Sequence, residues 1–184
     1  MRADFWEWAE CQALSYRQAV RLKANSPLPA RTLASHLDIT ILRPENIPGI
    51  TADMLRRLLR THRSAWSAFM LPFDECTIII HNTTHRPGRQ ESNLMHEIAH
   101  VLCKHRPVLV LPTARFPFPT RGFDRECERE ATALGSCLLL PRPALEWALQ
   151  RRMPEQEILG LYRISRPMLQ WRLHQTGLWA QAAP

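Results

Sequence analysis

Residues 96 to 100 read His96-Glu97-Ile98-Ala99-His100. Two histidines four positions apart lie one turn apart on the same face of a helix. Imidazoles placed this way can grip one zinc ion, each at about 2.0–2.1 Å. Glu97 sits one step round the helix, within reach of a metal-bound water. There it would act as general base, taking a proton and later returning it to a leaving amine. The pattern fixes only three positions, so alone it is a weak signal. Its setting strengthens it: Leu94, Ile98, Val101 and Leu102 give the segment an amphipathic pattern, and a predicted strand and a short loop precede it.

A catalytic zinc takes three protein ligands and leaves one position open for water. The metzincin continuation is ruled out, because Cys103 and Arg106 stand where it needs glycine and histidine. His105 is five residues past His100, which on a continuing helix turns it about 140° away. A second helix, opening at Asp124, is the better source. Glu126, Glu128 and Glu130 crowd its start, where carboxylates also favour the helix dipole, so a solvated helix start is the plain reading of any one of them. Its apolar face is Cys127, Ala131, Leu134 and Leu138. Glu128 precedes Ala131 by three and Glu130 precedes Leu134 by four, so periodicity leaves both open.

These two helices need a scaffold. Apolar spacing predicts a helix over Asp4 to Lys23, a short helix from Ala30 to Leu37, and a strand at Ile39 to Leu42. Thr51 caps a predicted helix from Ala52 to His62. Ala65 to Leu71 and Cys76 to His81 read as strands around the turn-like segment Pro72 to Glu75. The active helix is predicted over Gln90 to His105, followed by a proline-rich irregular loop from Pro107 to Gly122. The helix from Asp124 must stop near Pro141. Further helices are predicted over Ala144–Arg152, Glu155–Tyr162 and Ser165–Gln175, with Gly177 as a stop. The fold class is α+β, mostly helical with a small central antiparallel or mixed sheet. The organisation expected is an N-terminal helix over 1–25 and a main domain over 26–184, ending in a helical hairpin at about 154–177.

The chain has 184 residues, 24 basic and 17 acidic, for a net charge of +7. Such a balance favours contact with something acidic, nucleic acid first, although it describes a field rather than a function. No apolar run approaches the roughly 20 residues of a membrane span, and the N-terminus shows no secretory pattern. The five cysteines are irregularly spaced and contain no C-x-x-C pair. A reduced, cytoplasmic protein with no membrane partner is expected.

Three segments together carry a resemblance. They are Ser92 to Leu102, Glu128-Arg129-Glu130-Ala131, and the run ending Leu138-Leu139-Leu140-Pro141. They resemble the ImmA/IrrE family of zinc metallopeptidases, whose second motif is E-x-E-A-N-x-F-A-x-x-L-L-x-P. Pro29 to Ala34, Ile78 to Asn82 and Ile164 to Leu173 match the family layout too, so the resemblance spans about residues 26 to 178. It implies a Zn2+ cofactor held by His96, His100 and Glu128, with Glu97 as the catalytic base. Thr132, Leu134 and Gly135 replace the family's usual Asn, Phe and Ala. Thr132 is then expected to hydrogen-bond a ligating histidine. The implied function is cleavage of a helix-turn-helix repressor, relieving repression of stress, mobile-element or anti-phage defence genes. DNA damage, sensed as single-stranded DNA, is the expected trigger.

Other expectations surround that reading. The substrate would add a strand along Cys76 to His81, at Ile78, Ile79 and Ile80. His81, His85, Arg121 and Tyr162 are the candidates for stabilising the oxyanion. A thiolate entering as fourth ligand would displace the water and hold the enzyme off. Cys76 is placed on the substrate edge, Cys103 on the histidine face and Cys127 beside the third ligand. Arg56, Arg57, Arg60 and Arg63 share one segment, and arginines interleave with Trp147, Trp171 and Trp179 in the last third, a mixture that suits single strands. The alternative function is a DNA-binding regulator with a non-catalytic zinc site, its hairpin presenting Arg166, Gln170 and Arg172.

Overall fold

Two amphipathic helices that carry chemistry on one side must bury the other, and here they bury it on each other. In the computed structural model, which describes residues 4–73, 76–106, 108–110, 120–122 and 124–181, these are α4 (Pro87–Leu102) and α5 (Arg125–Leu139). Leu94, Met95, Ile98 and Ala99 on α4 and Ala131, Leu134, Cys137 and Leu138 on α5 belong to one buried cluster. Gly135 permits the close approach: a Cβ there would stand 3.3 Å from the Met95 carbonyl oxygen and 3.4 Å from the His96 Cα. A glycine at this point therefore sets how near α5 comes to the backbone that carries His96.

The remaining elements are α1 (Phe5–Ala19), α2 (Ala30–His36), β1 (Ile39–Leu42), α3 (Ala52–Arg56), β2 (Ala68–Phe73), β3 (Cys76–His81), β4 (Val108–Val110), β5 (Thr120–Gly122), α6 (Arg142–Gln150), α7 (Glu155–Tyr162) and α8 (Arg166–Thr176). The helix expected over 52–62 is α3 followed by a wider π turn at Arg57–Thr61. Thr51 caps it by accepting a hydrogen bond from the Met54 N–H. The segment expected as an irregular loop contains β4 and β5, paired antiparallel.

The main sheet is mixed, in the order β1-β3-β2, with β1 parallel and β2 antiparallel to β3. This corrects the expectation for Ile78, Ile79 and Ile80. They pair with Thr40, Ile41 and Leu42 on one side and with Leu71, Met70 and Phe69 on the other. Both backbone edges of β3 are used, so no substrate strand can add there. Among the described residues the open edges belong to β1 and β2. Pro72 fits that assignment, since a residue without an N–H is tolerated on an edge strand.

Helix α1 is part of the same core: Phe5, Ala9 and Ala13 are buried in it. Arg17 on α1 is fully buried and donates to the carbonyls of Ala13 at 3.0 Å, Ser26 at 3.0 Å, Leu138 at 2.8 Å and Leu139 at 3.3 Å. The last carbonyls of a helix lack intrahelical donors, and Arg17 supplies them for α5. Burial lowers its pKa to about 10, leaving it charged at neutral pH. Arg172 on α8 does similar work: its Nε donates to the Leu140 carbonyl at 2.9 Å and its guanidinium pairs with Glu10 of α1.

That placement takes Arg172 out of the set that the alternative reading presents to DNA. Arg172 is 1% exposed and cannot reach a DNA groove. Arg166 is exposed and paired with Glu155, Gln170 is exposed, and Trp171 packs against Trp6 with ring centroids 5.5 Å apart. Helices α7 and α8 are joined through Arg163 in the left-handed region (φ 51°), and Ser165 caps α8. The hairpin is a structural wall of the core. Among the described residues, no helix is long and apolar enough to cross a membrane.

Candidate metal centre

Helix α4 presents His96 and His100 one turn apart, and their Nε2 atoms converge to 3.1 Å. Glu128, in the first turns of α5, reaches across with Oε2 3.2 Å from His96 Nε2 and Oε1 3.7 Å from His100 Nε2. The three ligand atoms all lie within 4.8 Å of one another. A tetrahedral ion with bonds of about 2.0–2.1 Å holds neighbouring ligand atoms about 3.3–3.4 Å apart. The observed separations lie near that value, so this donor set fits a zinc-sized ion. The hydrogen bond from His96, with the charges of the histidines, lowers the pKa of Glu128 and keeps its carboxylate in the ionised form a ligand needs. The His100 side chain is fully buried while those of His96 and Glu128 are 28% and 45% exposed, so the cluster opens on one side only.

The geometry separates Glu128 from Glu130. Glu130 Oε2 lies 3.1 Å from His105 Nε2, and His105 Nδ1 lies 2.9 Å from His100 Nδ1. Glu130 therefore holds His105, which in turn holds the far side of the His100 ring. Such outer partners fix the tautomer and orientation of a ligating imidazole. Sequence spacing missed this because it carried helical geometry past the helix end. Helix α4 stops at Leu102, and Lys104 adopts φ 56°. The His105 N–H bonds the His100 carbonyl at 3.0 Å and the Lys104 N–H bonds that of Val101 at 2.9 Å. This is the Schellman ending, which folds the chain back over the last turn. The usual glycine signal for it is missing, since a lysine stands at the left-handed position.

A cavity of about 500 Å³ lies against the cluster. Glu97, His96 and Glu128 line it, with Ser92 and Asn93 from α4, Ala68 and Phe69 from β2, and Thr132 and Ser136 from α5. Glu97 is 8% exposed, placed at the wall as a base would be. Thr132 is exposed and lines the cavity, and the contact to a ligating histidine that was expected of it is made to His100 by His105. Ser92 and Asn93 were not foreseen as site residues, and only their positions four and three before His96 could have suggested it.

Of the oxyanion candidates, His81, His85 and Tyr162 do not line the cavity. His81 is 2% exposed and takes a hydrogen bond at Nε2 from Arg31 at 2.9 Å. Burial, then the nearby arginines, lowers its pKa to about 4. His85 meets Asn93 at 3.3 Å, and Tyr162 donates to the Asn25 carbonyl at 2.7 Å. The Arg121 side chain lies outside the described residues. No cysteine joins the three-residue cluster among the described residues. Burial pushes the Cys103 thiol up to about 12 and raises that of Cys127, which opposes thiolate formation. Cys76 is at the end of β3 opposite His81, across from Phe73, and the cavity meets the sheet at Ala68 and Phe69.

A mostly helical α+β domain with a His-His-Glu donor set on two packed helices, open to a cavity that holds a buried glutamate, points to a metallopeptidase. Residues 55–174 match the Peptidase_M78 family, described as the IrrE N-terminal-like domain, and the chain belongs to that family. No curated protein and no solved structure gives a significant match.

Proposed function

We propose that the protein is a cytoplasmic zinc endopeptidase whose substrate is a helix-turn-helix repressor. The observation that carries the peptidase reading is the convergence of His96, His100 and Glu128 beside a cavity that also holds Glu97. Bound by these three residues, zinc would supply Lewis acidity and a water of lowered pKa. Glu97 takes the proton from the attacking water and returns it to the leaving amine. His105 and Glu130 keep the His100 ring turned toward the centre. The substrate backbone pairs with the open edge of β2, whose Ala68 and Phe69 reach the cavity, in place of β3. Asn93 and Ser92 supply polar groups to the substrate backbone from α4.

The repressor assignment rests on the family resemblance, and the genes released would be those of stress response, mobile elements or anti-phage defence. Single-stranded DNA as activator is supported by the charge of +7 and by exposed Arg60 and Arg63. The test measures zinc per chain in the wild type, His96→Ala and Glu128→Ala. It also measures cleavage of a neighbouring-gene repressor by wild type and Glu97→Gln, with and without single-stranded DNA. One zinc lost in both ligand variants, and cleavage lost in Glu97→Gln with zinc retained, are expected. A wild type that binds no zinc after reconstitution sinks the peptidase reading. Cleavage indifferent to single-stranded DNA at moderate salt removes the trigger.

A further inference from the structure

The cavity beside the donor cluster shares lining residues with two others. It adjoins a second cavity of about 580 Å³, sharing Ser92, Thr132 and Met168 with it and ending on Trp171 and Pro167. A third, of about 260 Å³, has Trp6 and Trp171 in its wall together with Glu128, Arg129 and Thr132. Thr132 lines all three, and Glu128 lines the first and third. The two indoles are partly buried and tilted by 58°. Trp6 belongs to α1, ahead of the family-matched residues 55–174, while Trp171 lies within them.

We propose that Trp6, Trp171 and Met168, entered over Thr132, form a subsite for one large apolar side chain of the polypeptide being cut, aromatic for preference. This rests on the peptidase reading above. The occupant follows from adjacency: Met168 lines the cavity that holds Glu97, and Glu128 and Thr132 line both that cavity and the one walled by Trp6 and Trp171. A chain extended across that cavity advances about 3.3 Å per residue with side chains alternating in direction. A residue within about two positions of the cut bond therefore has the reach to enter. Indole faces and edges favour offset or edge-on aromatic partners, and the Met168 thioether adds a sulfur–aromatic contact. A charged side chain would lose hydration against the indoles. Arg89 lines the second cavity and Arg129 the third, so an acidic side chain is the competitor to exclude.

The test uses the zinc-loaded Glu97→Gln protein, which binds substrate without cutting it. The probes are blocked pentapeptides Ac-Ala-Ala-X-Ala-Ala-NH2 with X as Phe, Leu, Gly or Glu. The readouts are affinity and the indole N–H resonances of Trp6 and Trp171. We expect Phe to bind at least about tenfold tighter than Gly, with both indole signals shifting. Trp171→Ala and Trp6→Ala should reduce that ratio to under about threefold. Thr132→Phe, which fills the entrance from an exposed position and leaves the tryptophan pair packed, should do the same. Equal affinity for Phe and Gly, a preference for Glu, no binding of any peptide, or a ratio unmoved by Thr132→Phe would overturn the subsite. Wild-type protein on casein separates the two ideas. Cleavage without side-chain preference removes the subsite and keeps the peptidase, whereas selective binding without cleavage does the reverse.

Discussion

Replacing His105 by phenylalanine keeps a ring at the end of the helix turn and removes both nitrogens. The His100 Nδ1 then loses its partner at 2.9 Å and Glu130 loses its partner at 3.1 Å. The His100 side chain is fully buried and that of His105 is 6% exposed, so water has little room to take over. Loss of an outer partner commonly costs 10–100-fold in metal affinity, or about 1.4–2.7 kcal/mol. The burial here places His105→Phe toward the upper end. Glu130→Gln should cost less, under about tenfold, because its side chain is 19% exposed and the amide oxygen still accepts. Competition with a chromophoric zinc chelator at neutral pH measures both, with His100→Ala as the reference for complete loss of a ligand. If His105→Phe binds zinc within twofold of wild type, the contact is packing alone and the reasoning fails. A lower unfolding midpoint without an affinity change carries the same meaning.

Other perturbations follow from the same geometry. Glu97→Gln should retain about one zinc per chain and lose peptide hydrolysis by about 100-fold or more, and retained turnover would remove Glu97 as the base. His81, with its pKa lowered to about 4 against an ordinary 6.5, binds a proton in the unfolded chain before the folded one. Stability should therefore fall as pH drops from about 6.5 to 4, by roughly 2–3 kcal/mol from this residue. Urea midpoints at pH 7 and 4.5 should show a flatter dependence in His81→Gln, and an equal slope would refute the assignment. Arg172→Ala should lower stability by about 2–3 kcal/mol, because the Leu140 carbonyl loses its donor and Glu10, 22% exposed, keeps only the Arg142 N–H. A loss under 1 kcal/mol would mean that water replaces the guanidinium. Gly135→Ala gains up to about 1 kcal/mol of helix propensity but presses on the Met95 carbonyl and the His96 backbone. Its expected signature is weaker zinc binding with little change in unfolding midpoint, and unchanged affinity would show that α4 yields freely.

The local elements were largely legible in the sequence. The strands at Ile39–Leu42 and Cys76–His81 and the helix at Glu155–Tyr162 have the expected bounds, since turn residues and caps bracket each of them. His96, Glu97 and His100 were legible because helical spacing alone places them. What stayed hidden was non-local. Nothing in Cys76 to His81 says that two strands flank it, so the open edge was assigned one strand too far in. Arginine at 172 reads as a surface residue, and only the carbonyl of Leu140 and the carboxylate of Glu10, 32 and 162 positions away, make it an interior one. His105 was dismissed by a rule valid inside a helix and applied two residues beyond its cap. Glu128 and Glu130 could not be separated by periodicity, because both face inward and differ only in which histidine each meets.

The buried arginine of α1 bears on where this domain begins. A chain trimmed to residues 55–174 would keep every residue of the donor cluster and Glu97, yet lose α1, α2 and β1. The carbonyls of Leu138 and Leu139 would lose Arg17, Arg172 would lose Glu10, and β3 would lose its parallel neighbour. The matched span and the packed core thus draw different boundaries around one site. The core that carries Glu128 on α5 also takes in Phe5, Ala9 and Ala13 of α1, so the stretch that collapses together starts well ahead of residue 55.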